Sequence, residues 1–249
     1  IKVVDNRFIS ERVNQIRNWN MDFVQGDILD KDFVKEHLQD ADVVHHLAGI
    51  TDVPRVKSQA SEAHDEKILK VAEEGTQNIL DVISNKCKII FPSTHVVYEG
   101  IDKIKTEIKE DEITKPVLSY ASSKAINEKQ LKESGKNYII LRLGSVYGYS
   151  TDSMRIDIMP NLFSKIASQN GTLKLFASGK QIKSLVPLID VARCFKFMEE
   201  KSNINSETFN LTKETITVKG VAEICKKYNP KIKLRETNDE IPNLGFSLS

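Results

Sequence analysis

The stretch LSYASSKAI, residues 118 to 126, sets Tyr120 four positions ahead of Lys124. Residues four apart share one face of a helix, so the ammonium can stand beside the phenol and favour its ionised form. A free phenol has a pKa of about 10 and is a poor base at neutral pH unless a positive charge stabilises the phenolate. The pair could then take a proton from a substrate hydroxyl. With six tyrosines in a chain of 249 residues, the spacing alone is a weak motif, and other residues must join it. Asp5-Asn6, Asp27-Ile28, the HHLAG stretch 45–49 and Ser93-Thr94 each stand where a Val- and Ile-rich run gives out. An Asp accepts from ribose hydroxyls, Ala-Gly lets a ligand approach the backbone, and Ser-Thr brings hydroxyls near reacting atoms. Each has a structural use as a cap or turn. Their recurrence at successive run ends is what points to a ligand.

Those positions matter only if the runs are strands of one sheet. The runs are 1–4, 21–27, 42–49, 87–94, 138–148 and 207–212, with helical patterns at about 8–17, 31–38, 61–85, 120–134 and 161–169 between them. Such alternation predicts an α/β fold, a doubly wound parallel sheet whose ligand lies outside the carboxyl ends of the strands. KIIF and YIILRL, apolar at nearly every position, suit strands buried on both faces. The charge-dense segment 102–115 reads as a solvated loop. After Gly148 the alternation loosens and Asn170-Gly171 marks a turn, so a smaller second lobe is expected there. The division expected is a dinucleotide-binding domain at 1–148 and a mainly substrate-binding lobe at 149–249, with about 185–212 returning to the first.

Composition narrows the partners. Acidic and basic residues nearly cancel, at 35 and 36, which gives no support to a nucleic-acid surface. Cys87, Cys194 and Cys225 are odd in number and stand in no metal-ligand spacing, so free thiols in a reducing, cytoplasmic compartment are expected, with no metal. No apolar run approaches the ~20 residues of a membrane span.

The order of these pieces resembles the extended short-chain dehydrogenase/reductase family, the NAD-dependent epimerases and dehydratases of nucleotide sugars. VVDN (3–6) looks like the family's second strand, which implies that Asp5, with Asn6, holds the adenosine ribose and favours NAD over NADP. GDILD (26–30) matches the segment that puts Asp27 and Ile28 on adenine. HHLAGITDV (45–53) resembles the stretch lining the cofactor, which implies contacts from Leu47, Ala48, Gly49 and Thr51. PSTHVVYEG (92–100) resembles Ser-Ser-x-x-x-Val-Tyr-Gly with one residue inserted; it makes Thr94 the catalytic hydroxyl and Ser93 a cofactor contact. Tyr120 follows Thr94 at the family's interval and begins its Tyr-x-x-x-Lys pair. LRLGSVYG (141–148) and KSLVPLIDVA (183–192) resemble the substrate-side motifs, with Ser145 for the usual Asn and Lys183-Ser184 for Arg-Asp. The glycine-rich pyrophosphate turn that should precede Asp5 is not in the sequence, so the natural protein is expected to extend upstream by one βα unit.

The resemblance implies that Tyr120 removes a sugar hydroxyl's proton as hydride passes to NAD. Lys124 steadies the phenolate and the nicotinamide ribose, and Thr94 binds the reacting oxygen. It also implies that Ser145 and Lys183 face the nucleotide-sugar substrate, and that a homodimer forms through about 61–85 and 120–134; His95 reads as a substrate contact, a second proton carrier or a loop histidine packed at the cleft rim. His95 and Val96 stand where a 4,6-dehydratase has acidic residues, which disfavours that reaction. An epimerase is the leading reading; a sugar-nucleotide reductase or dehydrogenase, or a dinucleotide sensor without chemistry, are the alternatives.

Overall fold

The computed structural model describes residues 1–51, 61–101, 105–150, 154–237 and 245–249. Asp52 and Val53 of the cofactor-lining stretch, and 102–104 of the charge-dense segment, lie outside the described residues. Strands and helices alternate through β1 (Lys2–Asp5), α1 (Ser10–Asn18), β2 (Asp22–Gln25), α2 (Lys31–Leu38), β3 (Val43–His45), α3 (Glu62–Val82) and β4 (Lys88–Thr94). Then come β5 (Lys105–Ile108), α4 (Ser119–Glu133), β6 (Asn137–Leu143), β7 (Ser145–Tyr147) and α5 (Met159–Ser168). The rest is β8 (Thr172–Leu175), β9 (Ile182–Pro187), α6 (Leu188–Glu200), β10 (Glu207–Leu211), β11 (Glu214–Thr217), α7 (Val218–Tyr228), β12 (Lys233–Glu236) and β13 (Phe246–Leu248).

The hydrogen-bonded orders are β1-β2, β10-β6-β4-β3, β11-β9-β7, β12-β8 and β13-β5. The pairs β1-β2 and β3-β4 are parallel, so the carboxyl ends within each pair face the same way, as the sequence predicts for a Rossmann-type sheet. The chain divides into two compact units: Ile1–Pro92 with Pro116–Ile140 and Asn203–Glu207, and Ser93–Lys115 with Leu141–Ser202 and Thr208–Ser249.

In the first unit α2, α3 and α4 bury one face each. Val34, Ile79, Leu80, Ile83 and Leu131 meet Ile89, Phe91 and Ile140 in one apolar cluster. The helix starts are fixed by oxygen caps: Asp30 accepts from the Phe33 amide and Ser61 from the His64 amide. α4 opens with no side-chain cap, which leaves Tyr120 in its first turn. In the second unit Phe163, Leu173, Leu175, Leu185, Val221, Ala222 and Ile232 form the core.

Two expectations need correction. The run 138–148 is not one strand: it breaks at Gly144, where a Cβ would stand 2.7 Å from the Ser184 carbonyl oxygen, and β7 turns to pair with β9. Nor is the charged segment wholly a solvated loop. Residues 105–108 form β5, parallel to β13, with Ile108 buried and the Glu107 amide donating to Ser247 Oγ at 2.8 Å. That pairing joins segments about 140 residues apart, and no local charge pattern encodes it. Among the described residues no helix is long and apolar enough to cross a membrane.

Candidate active site

The first unit gathers acceptors at the end of β1 and β2. Asp5 closes β1, opposite Gln25, and its carbonyl accepts from the Gly26 amide at 3.1 Å. Asp5 Oδ1 accepts from the Arg7 amide at 2.8 Å, and Oδ2 takes no hydrogen bond among the described residues. Asn6 Nδ2 donates to Asp27 Oδ2 at 3.1 Å, while Asp27 Oδ1 caps the Leu29 amide. The exposed Asn6, next to the exposed Asp5, thus joins the half-buried Asp27. Ile28 lies over Gly75 of α3, where a Cβ would meet its Cδ1 at 2.3 Å, and Asn78 Nδ2 holds its carbonyl at 3.0 Å. Leu47, Ala48, Gly49 and Thr51, past the end of β3, are exposed.

Tyr120 and Lys124 face the same way on α4. Lys124 Nζ stands 5.9 Å from the Tyr120 ring centroid and 4.5 Å from that of Phe91, and donates to the Pro92 carbonyl at 2.9 Å. The lysine is buried, and burial pulls its pKa down to about 8 against the opposing pull of Glu128 one turn on. It therefore still carries its charge at neutral pH.

The second unit holds the remaining candidates. Thr94 is the last residue of β4, two along the chain from Pro92; it is buried, and its Oγ1 accepts from the Val96 amide at 3.3 Å. That contact leaves the hydroxyl hydrogen to donate elsewhere. Ser93 beside it is buried. His95 Nδ1 lies 2.9 Å from the Leu143 carbonyl. A carbonyl only accepts, so Nδ1 carries the hydrogen and Nε2 is the acceptor. Burial, helped by Lys183, draws the His95 pKa down to about 4 although the Leu143 bond opposes it. Such a ring is a hydrogen-bond acceptor and a weak proton carrier. Ser145 opens β7 opposite Leu185 of β9. Lys183, half-buried on β9, is pulled down by burial and partly restored by Glu99.

Sequence reasoning missed Glu99, the residue inserted before Gly100, which faces Lys183 electrostatically. It also missed a cavity of about 910 Å³ in the second unit, lined by Tyr147, Tyr149, Asn161 and Lys165 among others. Tyr147 belongs to the VYG motif and Tyr149 directly follows it, a signal that was available.

These donors and acceptors fit a dinucleotide. Asp5 offers an exposed carboxylate oxygen for ribose hydroxyls, and a Cβ built on Gly49 would meet nothing within 4 Å, so that backbone is open to a ligand. Lys124 offers an ammonium with further hydrogens to give. Asp5, Asn6, Asp27, Ile28, the 47–51 stretch and Lys124 would hold the group.

A parallel α/β sheet with acceptors at its strand ends and a Tyr-x-x-x-Lys helix defines a dinucleotide-binding enzyme of the short-chain dehydrogenase/reductase type. The profile of the NAD dependent epimerase/dehydratase family matches residues 2–212, and the chain belongs to that family. NAD is the cofactor of this family of enzymes. The chain is 28% identical to the UDP-N-acetyl-alpha-D-glucosaminuronate decarboxylase of Bacillus cytotoxicus, over 99% of this chain and 76% of that protein. It is 29% identical to the human dTDP-D-glucose 4,6-dehydratase, over 89% of this chain and 61% of that one. Among solved structures, the UDP-glucuronic acid 4-epimerase of Bacillus cereus, in complex with UDP-glucuronic acid and NAD, superimposes with a TM-score of 0.78 at 23% identity, covering 100% of this chain and 81% of that chain. That likeness is one of fold.

Proposed function

We propose that the chain is an NAD-dependent epimerase of a nucleotide-activated sugar, working through a transient ketone. The observation that carries this reading is Lys124, a buried ammonium held at the Pro92 carbonyl, one turn after Tyr120. When bound, NAD supplies a two-electron acceptor for the sugar's carbinol carbon. Tyr120 takes the hydroxyl proton, and Lys124 stabilises the phenolate, which makes a weak base usable near neutrality. Thr94 donates to the reacting oxygen and steadies the charge that develops there. Epimerisation needs the ketone to present its opposite face before the alcohol is restored, and Tyr120 then returns the proton.

In the second unit, Lys183 and Lys165 suit an anionic diphosphate, while Tyr147 and Tyr149 offer aromatic faces to a base. Ser145 and His95 Nε2 suit sugar hydroxyls. Two relatives named for UDP-linked uronic acids support a UDP-hexuronic acid as the sugar class. The decarboxylase likeness favours a second outcome of the same first step. A ketone at C4 is β to the C6 carboxylate, so carbon dioxide can leave with the bonding electrons delocalised onto the ketone oxygen. The same reading makes the protein a cytoplasmic homodimer, checked by light scattering.

The test is to incubate the protein with NAD and UDP-glucuronic acid, following products by proton NMR. The expected product is the C4 epimer with no net accumulation of reduced cofactor. A pentose product with carbon dioxide would replace epimerase by decarboxylase. Absence of turnover across a panel of UDP- and dTDP-sugars, with saturable NAD binding, would sink the catalytic reading.

A further inference from the structure

A chain of buried hydrogen bonds joins three elements of the first unit. His46 directly follows β3, and its Nε2 lies 2.8 Å from Thr76 Oγ1 on α3. Thr76 Oγ1 accepts from Asn127 Nδ2 on α4 at 2.8 Å, and Asn127 Nδ2 also donates to the Ala72 carbonyl of α3 at 2.8 Å. All three side chains are at most 4% exposed, so each bond forms where an unpaired partner would be costly. Asn127 is three residues past Lys124 on the same helix face. Phe91 closes the arrangement: its ring centroid is 5.5 Å from that of His46 and 4.5 Å from Lys124 Nζ.

His46 has a further peculiarity. Its Nδ1 is buried without a hydrogen-bond partner among the described residues, so an imidazolium would leave a donor unpaired. Burial first, and the charge of Lys124 second, pull its pKa down to about 3. The ring is neutral through the whole physiological range. A leucine would fill such a place without that orphaned nitrogen. What the imidazole adds is the bond to Thr76.

We propose that His46 is a positioning residue for Lys124: through Thr76 and Asn127 it ties the end of β3 to α3 and α4 and so keeps the ammonium in its dry seat between the Phe91 ring and the Pro92 carbonyl. The proposal deepens the role given to Lys124 above and rests on that reading only for its catalytic consequence.

Three single variants of the full chain test it: Thr76→Val, His46→Leu and His46→Gln. The readout is the pH profile of Lys124 acylation by acetic anhydride, followed by peptide mass spectrometry, which does not depend on turnover. The unaltered chain should show a midpoint of about 8. Breaking the chain of bonds in Thr76→Val or His46→Leu lets water reach the ammonium, so the midpoint should rise by about one unit or more toward that of an exposed lysine. In His46→Gln, whose amide can reach the same hydroxyl, it should stay near the unaltered value. An unchanged midpoint in Thr76→Val overturns the proposal, and so does a glutamine variant that shifts as far as the leucine one. If His46→Leu does not fold, the other two variants decide. Turnover of Lys124→Met is measured separately: full activity there defeats the catalytic reading while the acylation profiles still judge the seat of the lysine.

Discussion

Lys124 is under two opposing demands. Its seat must be dry enough to make its charge count toward Tyr120, yet each step of drying weakens its hold on its own proton. The balance falls at about 8, set by burial and moderated by Glu128. Below that value the ammonium can stabilise a phenolate; above it the lysine is neutral and cannot. Activity should therefore rise with pH as Tyr120 ionises and fall again on an alkaline limb set by Lys124. Tyr120→Phe should cut turnover by ~10²–10⁴ while NAD affinity barely changes. Lys124→Met should damage both, because one side chain serves the phenolate and the cofactor. Turnover, NAD affinity and melting temperature measured together decide; near-normal activity in Tyr120→Phe would sink the mechanism. Asp5 permits a sharper test of the cofactor. Its Oδ2, which takes no hydrogen bond among the described residues, suits two ribose hydroxyls and repels a 2′-phosphate, and Arg7 stands two residues on. Asp5→Ala should lower NAD affinity and raise the relative affinity for NADP, as read by calorimetry. A preference for NADP in the unaltered protein would contradict the assignment.

At the scale of elements, Gly144 decides how the second unit is built. A side chain there would press on a backbone oxygen that cannot turn aside, so Gly144→Val should destabilise the protein by about 1–3 kcal/mol in urea unfolding. Gly49→Ala, which meets nothing within 4 Å, should change stability by no more than about 0.5 kcal/mol while weakening NAD binding. Equal stabilities for the two variants would overturn this account of the strand break. The contrast also marks what local sequence can and cannot reveal. The helix at 31–38 was legible to the residue, because Asp30 caps it and Phe33, Val34 and Leu38 recur on one face. The ends of β1 and β4 were legible because an apolar run gives out there, Val3-Val4 before Asp5 and Ile89, Ile90 and Phe91 before Pro92-Ser93-Thr94. Gly144 gives no such sign: it interrupts a largely apolar run for a reason that lies 40 residues away at Ser184. The Thr76–Asn127 bond was hidden for the same reason, since its partners are 51 residues apart.

For the whole molecule, two histidines, the buried His46 of the first unit and the half-buried His95 of the second, set the response to acid. His46 is held down to about 3 by burial and by Lys124; His95 is held down to about 4 by burial and by Lys183, against its bond to Leu143. An unfolded chain protonates histidine near 6.5, so between about 6.5 and 4 the unfolded state takes up protons that the folded state refuses. Stability is therefore full above that range and falls as pH drops through it, by roughly 3 kcal/mol for His46 by pH 4 and somewhat less for His95. Asp81, held low by its hydrogen bonds to Lys31 and Gln77, gives way only further down, in the carboxylate range. Glu99, raised by burial, works in the opposite sense, because its folded form takes up a proton early. The urea midpoint should thus fall steeply between pH 6.5 and 4. The double variant His46→Gln with His95→Gln, which removes both titrating rings and keeps an amide at position 46 for Thr76, should flatten that decline even if its stability at pH 7.5 is lower. A double variant whose midpoint falls with acid as steeply as the parent's would place the acid sensitivity in the carboxylates instead and overturn the assignment to these two rings.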